Sequence, residues 1–181
     1  MNNKTLMEND CLRFLSEEIN RLQIEKLLFV HGNSFNYLPI KDSINIGVEY
    51  IEFTEFSPNP DILDVNKGVK LFTDESCDGI LAIGGGSAMD VSKAIKYYSK
   101  KQVPFIAVPT TAGSGSEATR FAVIYENKVK MSLRDDSFIP DVTFLDGNVL
   151  KTLPSYQRKS AMLDALCQAI ESIWSVNSND E

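Results

Sequence analysis

Residues 79–98 read GILAIGGGSAMDVSKAIKYY. GILAIG is short and wholly apolar, as a strand covered on both faces must be, since it has no solvent side to alternate with. Gly84, Gly85 and Gly86 then interrupt the chain, and Ala88, Val91, Ile95 and Tyr98 recur at helical spacing. Ser87 is expected to cap this helix, with Asp90 three residues on completing a capping box. Bare glycines let backbone N–H groups approach a ligand closely, and the positive end of a helix favours an anion. The segment therefore predicts a phosphate-binding turn. It has neither the GK[ST] ending of a P-loop nor GxGxxG spacing. A plain tight turn would show the same residues without a ligand.

Working outward, strand and helix patterns alternate. Residues 11–25 carry Leu12, Leu15, Ile19 and Leu22 on one helical face. LLFV at 27–30 reads as a buried strand, and 45–53 holds another. SPNP at 57–60 is a turn, after which Asp61 caps a helix running to about Ser76. VPFIAVP at 103–109 is a further strand, and 121–125 with 128–134 reads as a hairpin around Glu126-Asn127. VTFLD at 142–146 follows, and a helical pattern runs from Pro154 to about Trp174. Apolar strands alternating with amphipathic helices predict an α/β fold, a mostly parallel sheet with helices on both faces. Ligands of such sheets sit at the carboxyl ends of the strands, where Gly84–Ser87 fall.

The chain has 181 residues with 18 basic and 25 acidic side chains, a net charge of −7 that disfavours nucleic acid and anionic membrane. The N-terminus lacks the order of a signal peptide, and no apolar run approaches a membrane span. Cys11, Cys77 and Cys167 are odd in number and far apart, which predicts reduced thiols in a cytoplasm. His31 is the single histidine. The chain offers no nucleophile constellation and no separate general base. Lys93 and Lys128 read as solvated surface charges.

PFIAVPTTAGSGSEAT at 104–119 delivers a hydroxyl-rich loop to the same sheet edge as the glycine turn. Hydroxyls and bare backbone together can wrap a ribose or an amide. With AIGGGSAMDVSKAI, IAVPTTAGSGSEAT, the lysine before MSLRD, PDVTFLD and LDALCQAIES in this order, the chain resembles the amino-terminal half of an iron-dependent (group III) alcohol dehydrogenase, in the dehydroquinate-synthase-like superfamily. The matching segments run from about residue 58 to 175.

The resemblance implies a Rossmann-like dinucleotide domain, 1–153, followed at 154–181 by the first helix of a truncated all-helical metal domain. It implies that Gly84, Gly85, Gly86 and Ser87 cradle a pyrophosphate. Thr110, Thr111 and Ser116 would line the ribose and nicotinamide, and Lys130 would approach the nicotinamide-side ribose. An acidic residue after the first strand would select NAD in this family. Here His31-Gly32-Asn33-Ser34 follows that strand, so Gly32 leaves room, Ser34 offers a donor, and NADP is favoured over NAD. His31 is expected on the adenosine side or the surface.

The family's metal, Fe2+ or Zn2+, is held by an aspartate and three histidines, the first pair four residues apart on one helix. Asp164 matches the aspartate, and Gln168 stands where the histidine would be. An amide oxygen is a much weaker ligand than imidazole, and no histidine follows residue 31. The resemblance thus implies hydride transfer between nicotinamide and a primary alcohol or aldehyde, the metal polarising the oxygen. The wording ALCQAIES is shared with reductases of phosphonate metabolism, which makes a phosphonoacetaldehyde-like substrate an expectation. The alternative is a non-catalytic NAD(P)-binding remnant. Lyase or glycerol-phosphate dehydrogenase relatives fit PTTAGSGSEAT and PDVTFLD less well. A homodimer, or a separate chain carrying the helical domain, would complete the protein. Ile170, Ile173 and Trp174 predict an exposed apolar face on the last helix.

Overall fold

The structure is a computed structural model and describes residues 3–41, 44–176 and 178. The polar start at Met1 and Asn2 and the chain end at Glu181 lie outside the described residues. Six parallel strands form one sheet: β1 (Lys4–Leu6), β2 (Lys26–His31), β3 (Glu49–Phe53), β4 (Gly79–Gly84), β5 (Phe105–Pro109) and β8 (Val142–Phe144), in the order β1-β8-β5-β4-β2-β3. A separate antiparallel hairpin joins β6 (Phe121–Glu126) to β7 (Val129–Arg134). The helices are α1 (Leu15–Arg21), α2 (Ile62–Asp74), α3 (Gly86–Ser99) and α4 (Ser155–Trp174).

The apolar strands bury both faces, because their side chains alternate between two cores. Leu81 and Ile83 of β4, with Ile106 and Val108 of β5, pack into the first core beneath α1. Ile80 and Ala82, with Phe105 and Ala107, pack into the second beneath α2, α3 and the hairpin. Asp61 caps α2 as its sequence predicts: it accepts from the Leu63 amide at 3.0 Å, and Asp64 reciprocates to the Asp61 amide. α2 lies close on α3 because Gly68 has no side chain; a Cβ there would stand 2.3 Å from Ile95 Cδ1.

Several elements depart from the pattern. The helix expected over 11–25 is a 3-10 turn at Cys11–Phe14 followed by the shorter α1. The strand expected within 45–53 is there, as Glu49–Phe53. The hairpin turns at Asn127-Lys128, with φ of 49° and 65°, one residue later than expected. Two consecutive positive φ values match the right-handed twist of the flanking strands. β1 is not legible in the sequence, since its three residues, KTL, are partly exposed and carry no apolar run. It pairs with β8 and brings the chain's start to the edge of the site.

α4 contributes no buried residue; Leu166, Ile170, Ile173 and Trp174 are all exposed, as the sequence predicts of the last three. Its close approach to the rest of the fold is at Gly113, where a Cβ would fall 2.4 Å from the Ala161 carbonyl oxygen.

Ile95 is fully buried at the α2–α3 crossing. Ile95→Ala is expected to lower the unfolding free energy by about 3 kcal/mol in urea denaturation, through lost burial and the cavity it leaves.

Candidate functional site

The carboxyl ends of β4 and β5 stand side by side, with Gly84 in register with Pro109. Beyond them the two segments singled out in the sequence touch. The Thr110 amide donates to the Gly84 carbonyl at 2.9 Å, extending the ladder one step past the strands. A Cβ on Gly85 would lie 3.2 Å from Thr111 Oγ1, and one on Gly86 would lie 3.5 Å from Ser114 Oγ. Side chains at these positions would fill the space between turn and loop. Gly84 is needed for a different reason: its Cβ would lie 2.6 Å from that of Ala88, where the helix folds back on the strand.

Ser87 is not the N-cap. α3 begins at Gly86 with Gly85 as its cap, no side chain capping the end. The Ser87 hydroxyl donates instead to the Pro58 carbonyl, tying α3 to the turn before α2. Asp90 closes no capping box; its carboxylate accepts from the Ser116 hydroxyl at 2.8 Å. The first turn of α3 thus keeps N–H groups with no carbonyl four residues behind them, next to the positive end of the helix.

Lys93 is a second correction. It is not solvated but wholly buried. Its ammonium donates to the carbonyls of Ser116, Thr119 (3.0 Å) and Phe121 (2.8 Å). Burial pushes its pKa down from 10.5 to about 8, against the attraction of Asp90 and Glu117. Burial also raises the Asp90 carboxyl, while the Ser116 bond, Lys93 and Lys130 pull the other way. Sequence reasoning missed Lys93 because lysine is read as exposed. The available signal was the stretch AMDVSKAI, apolar or small at nearly every other position, which marks a helix covered all round.

The remaining predicted residues fall around this edge. Gly32 directly follows β2 and opens the 3-10 turn at Asn33–Tyr37, with room beside it, a Cβ there meeting only Phe56 Cζ at 4.0 Å, and nearby Ser34 is exposed. His31 is neither surface nor free to reach solvent: it is 4% exposed, its ring packed 4.5 Å from Phe29 and 4.6 Å from Phe35. Glu52 of β3, unnoticed in the sequence, stands 3.5 Å from His31 Nε2. Lys130 is exposed on β7 opposite Tyr125. Ser116 is buried, with its hydroxyl turned to Asp90.

A cleft of about 730 Å3 opens at the ends of β1, β5 and β8, lined among others by Met7, Thr111, Gly113, Glu117, Asp146 and Ala165 of α4. On α4, Gln168 Nε2 donates to Asp164 Oδ1 at 3.1 Å, both exposed. Among the described residues no three His, Cys, Asp or Glu side chains converge. One carboxylate and one amide do not make a site for Fe2+ or Zn2+, so the donors present do not fit that ion.

A parallel sheet with a glycine turn at a helix start and a hydroxyl loop laid over it is the arrangement of a Rossmann-like α/β domain. The chain belongs to the iron-containing alcohol dehydrogenase family, whose model matches residues 2–147. It is 36% identical to alcohol dehydrogenase 4 of Schizosaccharomyces pombe, over 96% of this chain and 47% of that one. It is 33% identical to an NAD-dependent methanol dehydrogenase of Bacillus methanolicus, over 80% of this chain and 42% of that one. The solved alcohol dehydrogenase of Oenococcus oeni superposes with a TM-score of 0.91 at 27% identity, over 99% of this chain and 54% of that one. The chain therefore spans about half the length of the curated relatives it matches.

The buried Lys93 sets a pH dependence. Its folded pKa of about 8 lies below the ordinary 10.5, so between these values the unfolded chain holds a proton that the folded chain has released. Stability must rise with pH across that window and be lost as pH falls through it. Urea denaturation from pH 7.5 to 10 is expected to show a slope on the order of 1 kcal/mol per pH unit in the unmutated chain relative to Lys93→Met, which lacks the group.

Proposed function

We propose that this chain is the cofactor-holding half of an NAD(P)-dependent oxidoreductase that interconverts a primary alcohol and its aldehyde. The observation carrying the reading is the cradle at Gly85 and Gly86: bare glycine backbone at a helix start, with the Thr111 and Ser114 side chains of the neighbouring loop standing close against it. A diphosphate fits there by chemistry, since it takes N–H donors and a positive dipole end and needs no cation. Gly84, Gly85, Gly86 and the Ser87 amide would hold it. Thr110 and Thr111 would face the ribose and nicotinamide, and Lys130 the nearby ribose; Ser116 would support that loop from beneath. A bound nicotinamide would supply or accept the hydride. The chain's own residues bind and orient it against the cleft where Thr111, Glu117 and Asp146 meet α4.

Residues 1–153 form the dinucleotide domain in this reading, and α4 begins a second, helical domain to which Asp164 and Gln168 belong. A longer polypeptide, a homodimer or a separate chain would bring the remaining ligands for the family's metal. The substrate is a small alcohol or aldehyde, and the wording ALCQAIES makes a phosphonoacetaldehyde-like compound one to assay. The described residues include no helix long and apolar enough to cross a membrane, and the three cysteines are free thiols, which accords with a reducing cytoplasm. One observation favours a second reading, a non-catalytic NAD(P)-binding module: among the described residues no three His, Cys, Asp or Glu side chains converge to hold a metal.

Fluorescence titration with NADPH and NADH tests the cradle. The unmutated chain is expected to bind. Gly85→Val, whose branched side chain would enter the space beneath Thr111, is expected to lose at least about tenfold in affinity while its circular dichroism is unchanged. Equal affinity in the two proteins would overturn the assignment.

The open space beside Gly32 is the basis for favouring NADP(H). Gly32→Asp, placing a carboxylate where a 2′-phosphate would lie, is expected to weaken NADPH by about tenfold or more and to spare NADH. Parallel titrations with the two cofactors read the ratio directly.

A further inference from the structure

A lysine ammonium has three N–H donors, and Lys93 spends each on a backbone carbonyl of one loop: Ser116, Thr119 and Phe121. Three residues earlier on α3, Asp90 takes the hydroxyl of the same Ser116. α3 therefore grips the segment 116–121 from two sides, by a cation on its carbonyls and an anion on its hydroxyl. The other end of the loop is fastened where the Thr110 amide bonds to Gly84. Between these fastenings lie Thr111 above Gly85, Ser114 above Gly86, and Gly113 against the Ala161 carbonyl of α4. A loop rich in glycine and serine has high conformational entropy when free, and the segment 111–115 contributes nothing to either core. Its position depends on what holds its ends.

We propose that Lys93 is a positioning residue for the dinucleotide site, its ammonium holding loop 110–121 closed over the glycine turn and against α4. This rests on the cradle reading given above. Lys93 touches no cofactor atom in this scheme; it acts through the loop. A charged group wholly enclosed in protein is costly to keep and serves the fold poorly compared with an apolar side chain, unless the carbonyls it gathers need gathering. Replacing it by methionine retains the packing and removes the grip. The loop then samples open positions, and the two faces of the cradle separate.

The test compares the unmutated chain with Lys93→Met, Lys93→Arg and the exposed control Lys128→Met. Hydrogen-exchange protection is read over 112–121 and over β4, alongside NADPH affinity by fluorescence. Lys93→Met is expected to keep β4 protected, to lose about tenfold or more in protection over 112–121, and to bind NADPH about tenfold more weakly. Lys93→Arg, which keeps a positive donor, is expected to recover part of both losses, and Lys128→Met to match the unmutated chain. Unchanged protection over 112–121 in Lys93→Met, unchanged NADPH affinity despite a loosened loop, or Arg and Met variants that behave alike would each overturn the proposal. Should Lys93→Met fail to fold, Asp90→Asn loosens the same grip from its other side, and the same outcomes decide. If the unmutated chain binds no NADPH, the cradle reading fails by itself, while the exchange arm still shows whether Lys93 holds the loop.

Discussion

A parallel sheet buried on both faces leaves one place where backbone can meet a polar ligand, the carboxyl ends of its strands. Here that constraint orders everything else. β4 and β5 are apolar throughout because each sends alternate side chains into two different cores. They can therefore change chemistry only by ending, and both end at the same level, Gly84 beside Pro109. The glycine turn and the hydroxyl loop are consequences of that shared edge.

Close approach is the second consequence. Gly85 and Gly86 lie against Thr111 and Ser114, and Gly113 lies against the backbone of α4. Each contact is made by the absence of a side chain, so the glycines determine distances and not only turn shapes. A loop brought so near with so little packing of its own needs an anchor. The buried ammonium of Lys93 is that anchor: a cation with three donors gathers in one place the carbonyls of Ser116, Thr119 and Phe121.

Most of the fold was legible in the sequence, and for a stated reason. Continuous apolar runs at 79–84 and 105–109 and the helical spacing of 88–98 are strong signals, because burial on two faces allows no ambiguity of side. Asp61 was legible as a cap, since its hydrogen bonds are local. Ser87 was misread by the same logic: it has the right chemistry for a cap, but the helix starts a residue earlier and Pro58, distant in sequence, takes its hydroxyl. β1 was missed because three partly exposed residues form a strand only when β8 is there to pair with them. The apolar residues of α4 are spaced for packing, yet nothing among the described residues covers them.

By itself the sequence determined the family, the alternation of strand and helix, and the identity of the two loops that meet. These are local patterns, and periodicity and motif spacing carry them. Only the tertiary structure decided what Asp90, Ser116 and Lys93 do. Their partners lie 23 to 28 residues away along the chain, so hydrogen-bond geometry rather than residue type assigns their roles. Lysine on a helix is ordinarily a solvated charge; the hairpin folding over α3 removes the water and leaves three carbonyls in its place.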